Sequence, residues 1–295
     1  MELDLTINAE IPSQIEQTTG LKRNTIDKYY TNPNVATQCI GLIKAHIPIT
    51  LTDLIIEPSA GNGSFITQIK SLSSNYKFYD LEPEHDEIVK QDFLELDTTQ
   101  LLQQLQTSSS TQTIHVIGNP PFGRQSSLAI KFIKKCCQFA NSISFILPKS
   151  FKKESMQKHF AKNFHLIHEQ DLPTNSFLVN NTACDVPCVF QIWMNMPTPR
   201  ATIIKDEPRY FTFVKKEEEP DISFRRVGVN AGTISTDITN KSVQSHYFIK
   251  FTNELTITEN LDKLKSIKFD FNNTVGAKSI AKGEVISKFN ELLHQ

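Results

Sequence analysis

The chain has 295 residues, a formal net charge of −1, 39% hydrophobic and 21% charged residues. That is the balance of an ordinary water-soluble globule, long enough for one large domain or one domain with a small companion. It excludes a uniformly basic nucleic-acid-coating protein, so any nucleic-acid surface has to be a local patch. No apolar run approaches the ~20 residues of a membrane span.

The five cysteines, Cys39, Cys136, Cys137, Cys184 and Cys188, are odd in number and form no framework, which points to reduced thiols. Cys184 and Cys188 lack a second ligand pair nearby, so buried strand positions suit them better than zinc, and no metal is expected. The start, Met1-Glu2-Leu3-Asp4, has neither the basic residues nor the apolar stretch of a signal peptide. An intracellular protein, in cytoplasm or nucleus, is the expectation.

Residues 1–26 read as a polar lead-in segment, with a faint helix-turn-helix flavour at Thr19–Ile26. The doublet Tyr29-Tyr30 and Thr31-Asn32-Pro33 then precede apolar residues at helical spacing through Ile43; Pro33 suits a first helical turn and Thr31 or Asn32 its cap. Leu54-Ile55-Ile56-Glu57 reads as a strand that runs into Pro58-Ser59-Ala60-Gly61-Asn62-Gly63, followed by a helix through Ile66 and Ile69. Gly61 and Gly63 let the backbone approach a ligand closely, and the absence of Gly-Lys-Ser/Thr excludes a Walker phosphate loop. Glu57 at the strand end is a poor neighbour for pyrophosphate and a good one for an ammonium or sulfonium.

The next strand is expected over Tyr76–Glu82, and an acidic residue about 20 positions past a glycine loop is where ribose hydroxyls bind in such folds. Asp80 and Glu82 both lie near that place. Gln91-Asp92-Phe93-Leu94 comes next, then a short helix and the polar loop Thr107–Thr111.

Ile114–Ile117 is a β-branched strand that stops at Asn119-Pro120-Pro121. Each proline stiffens the residue before it, so the Asn119 side chain and the Pro120 carbonyl are held in a set geometry. Two such oxygens can accept both hydrogens of an exocyclic NH2 group, and Phe122 offers a face for the base that carries it. Gly123 turns the chain away, Arg124 follows, and Ser126–Ala140 is a helix. Ser142–Leu147 is another buried strand, ending at Pro148 and Lys149, and the last two strands are expected at His165–Ile167 and Cys188–Trp193. A loop containing Phe177 lies between them.

Met196-Pro197-Thr198-Pro199-Arg200 marks a boundary. We therefore expect a lead-in over 1–26, a domain over 27–198 and a small, mainly β unit over 199–295. The latter has alternating strands at 210–214, 222–227 and 246–251, and a last helix capped by Ser279. In it Arg225, Arg226 and Asn230 are the candidates for contacts with phosphates and base edges.

Taken together, Tyr-Tyr-Thr-x-Pro, Glu-Pro-x-Ala-Gly-x-Gly-x-Phe, Asp80, Asp92-Phe93 and Asn-Pro-Pro-Phe resemble, in kind and order, the amino-methyltransferases that act on adenine N6, in the gamma-type arrangement. The resemblance spans residues 24–195. It implies a Rossmann-like, seven-stranded class I methyltransferase sheet with the last strand antiparallel. It also implies S-adenosylmethionine (AdoMet) as cofactor, S-adenosylhomocysteine as product, and no metal. By this resemblance Tyr30, Thr31, Glu57, Ser59, Ala60, Gly61, Gly63, Asp80, Asp92, Phe93 and Asn119 hold the cofactor. It puts Asp80 on the ribose hydroxyls and Glu82 toward solvent or a cap. Asn119, Pro120, Pro121 and Phe122 form the catalytic loop, and Phe177 sandwiches a flipped base. Gly123, Arg124 and Lys149 join Arg225, Arg226 and Asn230 as nucleic-acid contacts. The implied activity is N6-adenine methylation, with DNA favoured slightly over RNA such as ribosomal RNA. Protein glutamine methylation, an inactive nucleic-acid-binding subunit and a cytosine-N4 product are the alternatives.

Overall fold

Apolar runs buried on both faces make the centre of a mainly parallel sheet. The computed structural model describes residues 29–106, 113–201, 206–269, 271 and 278–293; the expectations for 1–26 and for Thr107–Thr111 lie outside them. In chain order come β1 (Tyr30–Thr31), α1 (Pro33–His46), β2 (Leu54–Glu57), α2 (Ile66–Lys70), β3 (Asn75–Asp80) and β4 (Val89–Lys90). Then follow α3 (Thr98–Gln106), β5 (Ile114–Gly118), α4 (Ser127–Cys136), β6 (Ser142–Pro148), α5 (Glu154–Gln157) and β7 (Phe164–Asp171). The hairpin strands β8 (Phe177–Val179) and β9 (Thr182–Cys184) precede β10 (Cys188–Asn195).

Seven of these strands lie in the order β4-β3-β2-β5-β6-β10-β7. β2 runs parallel to β3 and β5, and β5 to β6, while β10 is antiparallel to both β6 and β7. This is a Rossmann-like, seven-stranded sheet with its last strand reversed, as the resemblance implies. Successive side chains leave the sheet on opposite faces. Ile56, Val116 and Phe145 join the core under α4, whereas Ile55, Ile117 and Ile146 join the core under α1 and α2. Asn32 caps α1, its side chain accepting from the Asn34 N–H at 3.0 Å.

A second sheet, antiparallel and in the order β11-β14-β12-β13, is built from β11 (Phe211–Val214), β12 (Ile222–Arg225), β13 (Ile234–Ser235) and β14 (His246–Phe251). The helices α6 (Ile257–Leu264) and α7 (Lys282–Leu292) close its core around Phe224, Ile249 and Phe289. Just past β10, Arg200 lies over the Trp193 ring, 5.0 Å from its centroid, and donates to the carbonyls of Gln157 and Phe160.

Two expectations need correction. Ser279 does not cap the last helix: α7 starts at Lys282, and the Glu284 carboxylate accepts from the Ala281 N–H at 2.6 Å. Ser279 instead bridges to Val227, and its carbonyl and hydroxyl oxygens each accept from Lys153 Nζ at 3.3 Å. Phe177 and Leu178, read as part of a loop, begin a hairpin over 177–184, because Thr31 and Tyr30 give them a strand to pair with. Among the described residues no helix is long and apolar enough to cross a membrane.

Candidate active site

From β2 the chain moves outward to β3 and β4, then returns to the other side of β2 with β5 and β6. At such a reversal the loops leaving the carboxyl ends of neighbouring strands diverge and leave a crevice. Here the crevice is a cavity of about 400 Å3 between the ends of β2 and β5.

One wall is the turn after β2. Glu57 ends that strand and is 2% exposed, and its Oε2 has no hydrogen-bond partner. Burial, and then the Asp80 carboxylate, hold its carboxyl well above the usual carboxylate range. Gly61 follows with φ +55°, a backbone shape that side chains resist, and a Cβ there would stand 3.1 Å from the Tyr30 ring. Its N–H donates to Asp80 Oδ2 at 2.8 Å, which ties the turn to the end of β3. The other oxygen of Asp80 accepts from the Glu82 N–H, also at 2.8 Å. Asp92 Oδ1 accepts from the Leu94 N–H at 2.8 Å, capping a short 3-10 turn that sets Phe93 into the core against Phe132.

The opposite wall is the end of β5. Asn119 Nδ2 donates to the Tyr29 carbonyl at 3.1 Å. That bond settles which way the amide faces, and leaves Asn119 Oδ1 enclosed and without a partner. The Asn119 carbonyl accepts from Ser59 Oγ at 3.1 Å, joining the two walls. Pro120, Pro121 and Phe122 continue the lining, and Phe122 also packs against both cores.

The cavity therefore brings together Tyr30, Thr31, Glu57, Ser59, Ala60, Gly61, Asp80, Asp92, Phe93, Asn119, Pro120, Pro121 and Phe122. It does not bring in Gly63, Gly123 or Phe177. Gly63 packs on Ile66, where a Cβ would come within 2.8 Å of the Cδ1 atom. Gly123, at φ +67°, lets α4 approach, since a Cβ there would lie 2.8 Å from Leu128 Cγ. Phe177 is 0% exposed and sits edge-on to Tyr29 beneath β1, so its ring has no face to offer a base.

Arg124 is exposed outside the cavity, in a 3-10 turn. Lys149 forms an ion pair with Asp171 at 3.2 Å. Arg225 Nε donates to the Val227 carbonyl at 3.2 Å. Arg226 Nη2 donates to the Gln244 carbonyl at 2.7 Å, and the guanidinium lies over the Tyr247 ring. Asn230 is exposed, its carbonyl accepting from Thr233 in a tight turn.

Sequence reasoning missed the Tyr29 carbonyl, which orients Asn119, and the lining by Gln91, Leu128 and Phe132. Leu128 and Phe132 are four apart on a helix and read as ordinary core positions; nothing in their spacing separates the two roles. Glu82, expected to face solvent or a cap, is exposed on the cavity rim. Among the described residues the lining carries Glu57, Asp80, Glu82 and Asp92 but no Lys, Arg or His. Such a wall favours a cationic ligand and disfavours a phosphate. The unpartnered Glu57 Oε2 and the glycine cradle thus fit the aminoacyl sulfonium end of AdoMet. Among the described residues no group of three side chains could hold a metal ion.

Residues 53–186 match the model of a known family, the EDM2 methyltransferase-like domain. No curated protein matches the chain. Solved structures similar to it include a protein from Pyrococcus horikoshii assigned as an RNA methyltransferase, at 14% identity and TM-score 0.40, covering 58% of this chain and 88% of that one. The 23S rRNA methyltransferase ErmE is similar at 10% identity and TM-score 0.41, over 59% of this chain and 72% of its own. The modification subunit assigned to a type I restriction enzyme of Vibrio vulnificus YJ016 is similar at 12% identity and TM-score 0.43, over 90% of this chain and 62% of its own.

Proposed function

We propose that this chain transfers a methyl group from AdoMet to the exocyclic N6 of adenine in a nucleic acid, DNA before RNA. Residues 27–198 are the catalytic domain, and 199–295 a unit for holding the target. The observation that carries the reading is the enclosed, unpartnered Oδ1 of Asn119, a residue that lines the same cavity as Glu57, whose Oε2 is likewise unpartnered. An amide oxygen fixed as acceptor is matched by an amino group, which has hydrogens to donate.

In this reading the cavity wall of Glu57, Gly61 and Asp80 holds the cofactor, with Tyr30 and Thr31 closing it and Phe93 against its ring. AdoMet supplies an electrophilic methyl group on sulfur and leaves as S-adenosylhomocysteine. The target adenine leaves its stack to reach the cavity. Phe122 packs on the base. Asn119 Oδ1 and the Pro120 carbonyl accept the two N6 hydrogens, which keeps the nitrogen lone pair out of the ring and directed at the methyl carbon. Positioning and fixed dipoles account for the catalysis. The acidic wall leaves the strand's phosphates outside.

The test is transfer from labelled AdoMet into separate pools of duplex DNA, single-stranded DNA, total RNA and protein, followed by nucleoside analysis. N6-methyldeoxyadenosine from DNA is the expected product. N6-methyladenosine from RNA alone would move the enzyme to RNA, and label in protein alone would overturn the base-flipping mechanism.

A further inference from the structure

Glu57 is buried more deeply than recognition of a ligand requires. It is 2% exposed, its Oε2 touches no donor, and the charge acting on it is another carboxylate, Asp80 on the neighbouring strand. Glu82 and Asp92 lie along the same lining, and among the described residues no Lys, Arg or His joins them. Gly118, on the other side, offers only space, with an added Cβ standing 3.2 Å from Glu57 Cγ. An ionised carboxylate cannot remain in such a place without a countercharge, and a carboxylic acid can.

We infer that Glu57 selects the cofactor by its positive charge, holding a proton until a cationic ligand enters and releasing that proton to solvent when one does. The carboxylate left behind is the countercharge of the ligand. A neutral adenine nucleoside gives Glu57 no reason to ionise, so it forgoes that attraction even though the rest of its surface fits. Glu57 is thereby a specificity-determining residue toward the cofactor, with binding that strengthens as pH rises toward the carboxyl's raised value while the ligand's ammonium stays protonated. This inference rests on the AdoMet reading proposed above.

The test is calorimetric titration of the full chain with AdoMet and with 5′-methylthioadenosine, which keeps the adenosine and sulfur but carries neither the sulfonium nor the ammonium. Each titration is run at a series of pH values below about 7, where the ligand's own α-amino group stays protonated, in two buffers of different ionisation enthalpy. AdoMet binding is expected to release about one proton below the carboxyl's raised value, and the neutral nucleoside none. E57Q should bind AdoMet about 10- to 100-fold more weakly, the loss of a bond between charged groups, without releasing a proton. Its affinity for 5′-methylthioadenosine should stay within about threefold of the parent, which also shows that the variant is folded. AdoMet binding without proton release across the series, or an E57Q that loses both ligands equally, would overturn the inference. Methylation with proton-silent binding would sink this inference alone. Proton-coupled AdoMet binding without nucleic-acid methylation would sink the proposed substrate alone.

Discussion

In the C-terminal unit Arg226 ends on the Gln244 carbonyl and the Tyr247 ring, and Arg225 on the Val227 carbonyl. Asn260, fully buried, exchanges hydrogen bonds with Asn253. Among the described residues after 205 no buried side-chain polar atom lacks a partner. In the cavity at the ends of β2 and β5, Glu57 Oε2 and Asn119 Oδ1 are equally enclosed and end on nothing. Each such atom costs about 1–3 kcal/mol. Among the described residues three other such atoms, on Ser144, His168 and Arg200, lie apart outside the cavity, whereas these two share it, the arrangement that a ligand would satisfy. The difference separates a surface held in shape by its charges from a site that keeps two acceptors for something to come.

The sharpest way to break that contrast is Asn119→Ala. It is expected to lower methyl transfer about 10²- to 10³-fold, the scale of a preorganised hydrogen-bonding group, while calorimetry still finds AdoMet bound. Retained transfer would remove Asn119 from the chemistry. Gly61→Ala comes next. The left-handed backbone and the Tyr30 ring 3.1 Å away predict AdoMet binding about tenfold weaker, read by titration. Unchanged affinity would mean that the glycine turn is not the cofactor cradle.

The effect of Glu57→Gln on stability is smaller and depends on pH. Because burial raises the carboxyl in the folded state, the native protein holds more protons than the unfolded chain between the ordinary carboxylate range and the raised value. Stability of the parent therefore falls as pH rises through that window. The glutamine variant lacks this fall, so its advantage in denaturant melts should widen with rising pH and vanish in acid. The mildest change is Arg226→Ala, expected to lower stability by about 1 kcal/mol and leave AdoMet affinity unaltered. A loss of nucleic-acid binding far beyond that cost would turn Arg226 from a structural group into a recognition group.

What could be read ahead of the structure was local. Glu57 ends an apolar strand before a proline, and Asn119 directly follows one, so their places at the sheet's carboxyl edge follow from a few adjacent residues. The distance to the glycine loop points to Asp80 and Glu82 alike, and choosing Asp80 takes the resemblance. What was hidden depends on partners far along the chain. Phe177 has the residue type of a base-stacking ring, and only its pairing with Thr31 puts it in the core. The Asn180-Asn181 turn, with φ of 49° and 61°, was the available hairpin signal, but its two strands are too short to alternate visibly. Arg226 and Lys149 look like free cations in a sequence, and become partners only once Gln244 and Asp171 are folded beside them.

The bond from Asn119 to the Tyr29 carbonyl spans 90 positions, and Tyr30 and Thr31 are themselves held by pairing with Leu178 and Phe177. During synthesis, the glycine turn and the Asn-Pro-Pro loop leave the ribosome well before that hairpin does. A nascent chain thus carries its signature motifs long before its acceptor amide is set. Truncations that end short of β8 would keep every recognisable motif and lack the strand that aims one of them.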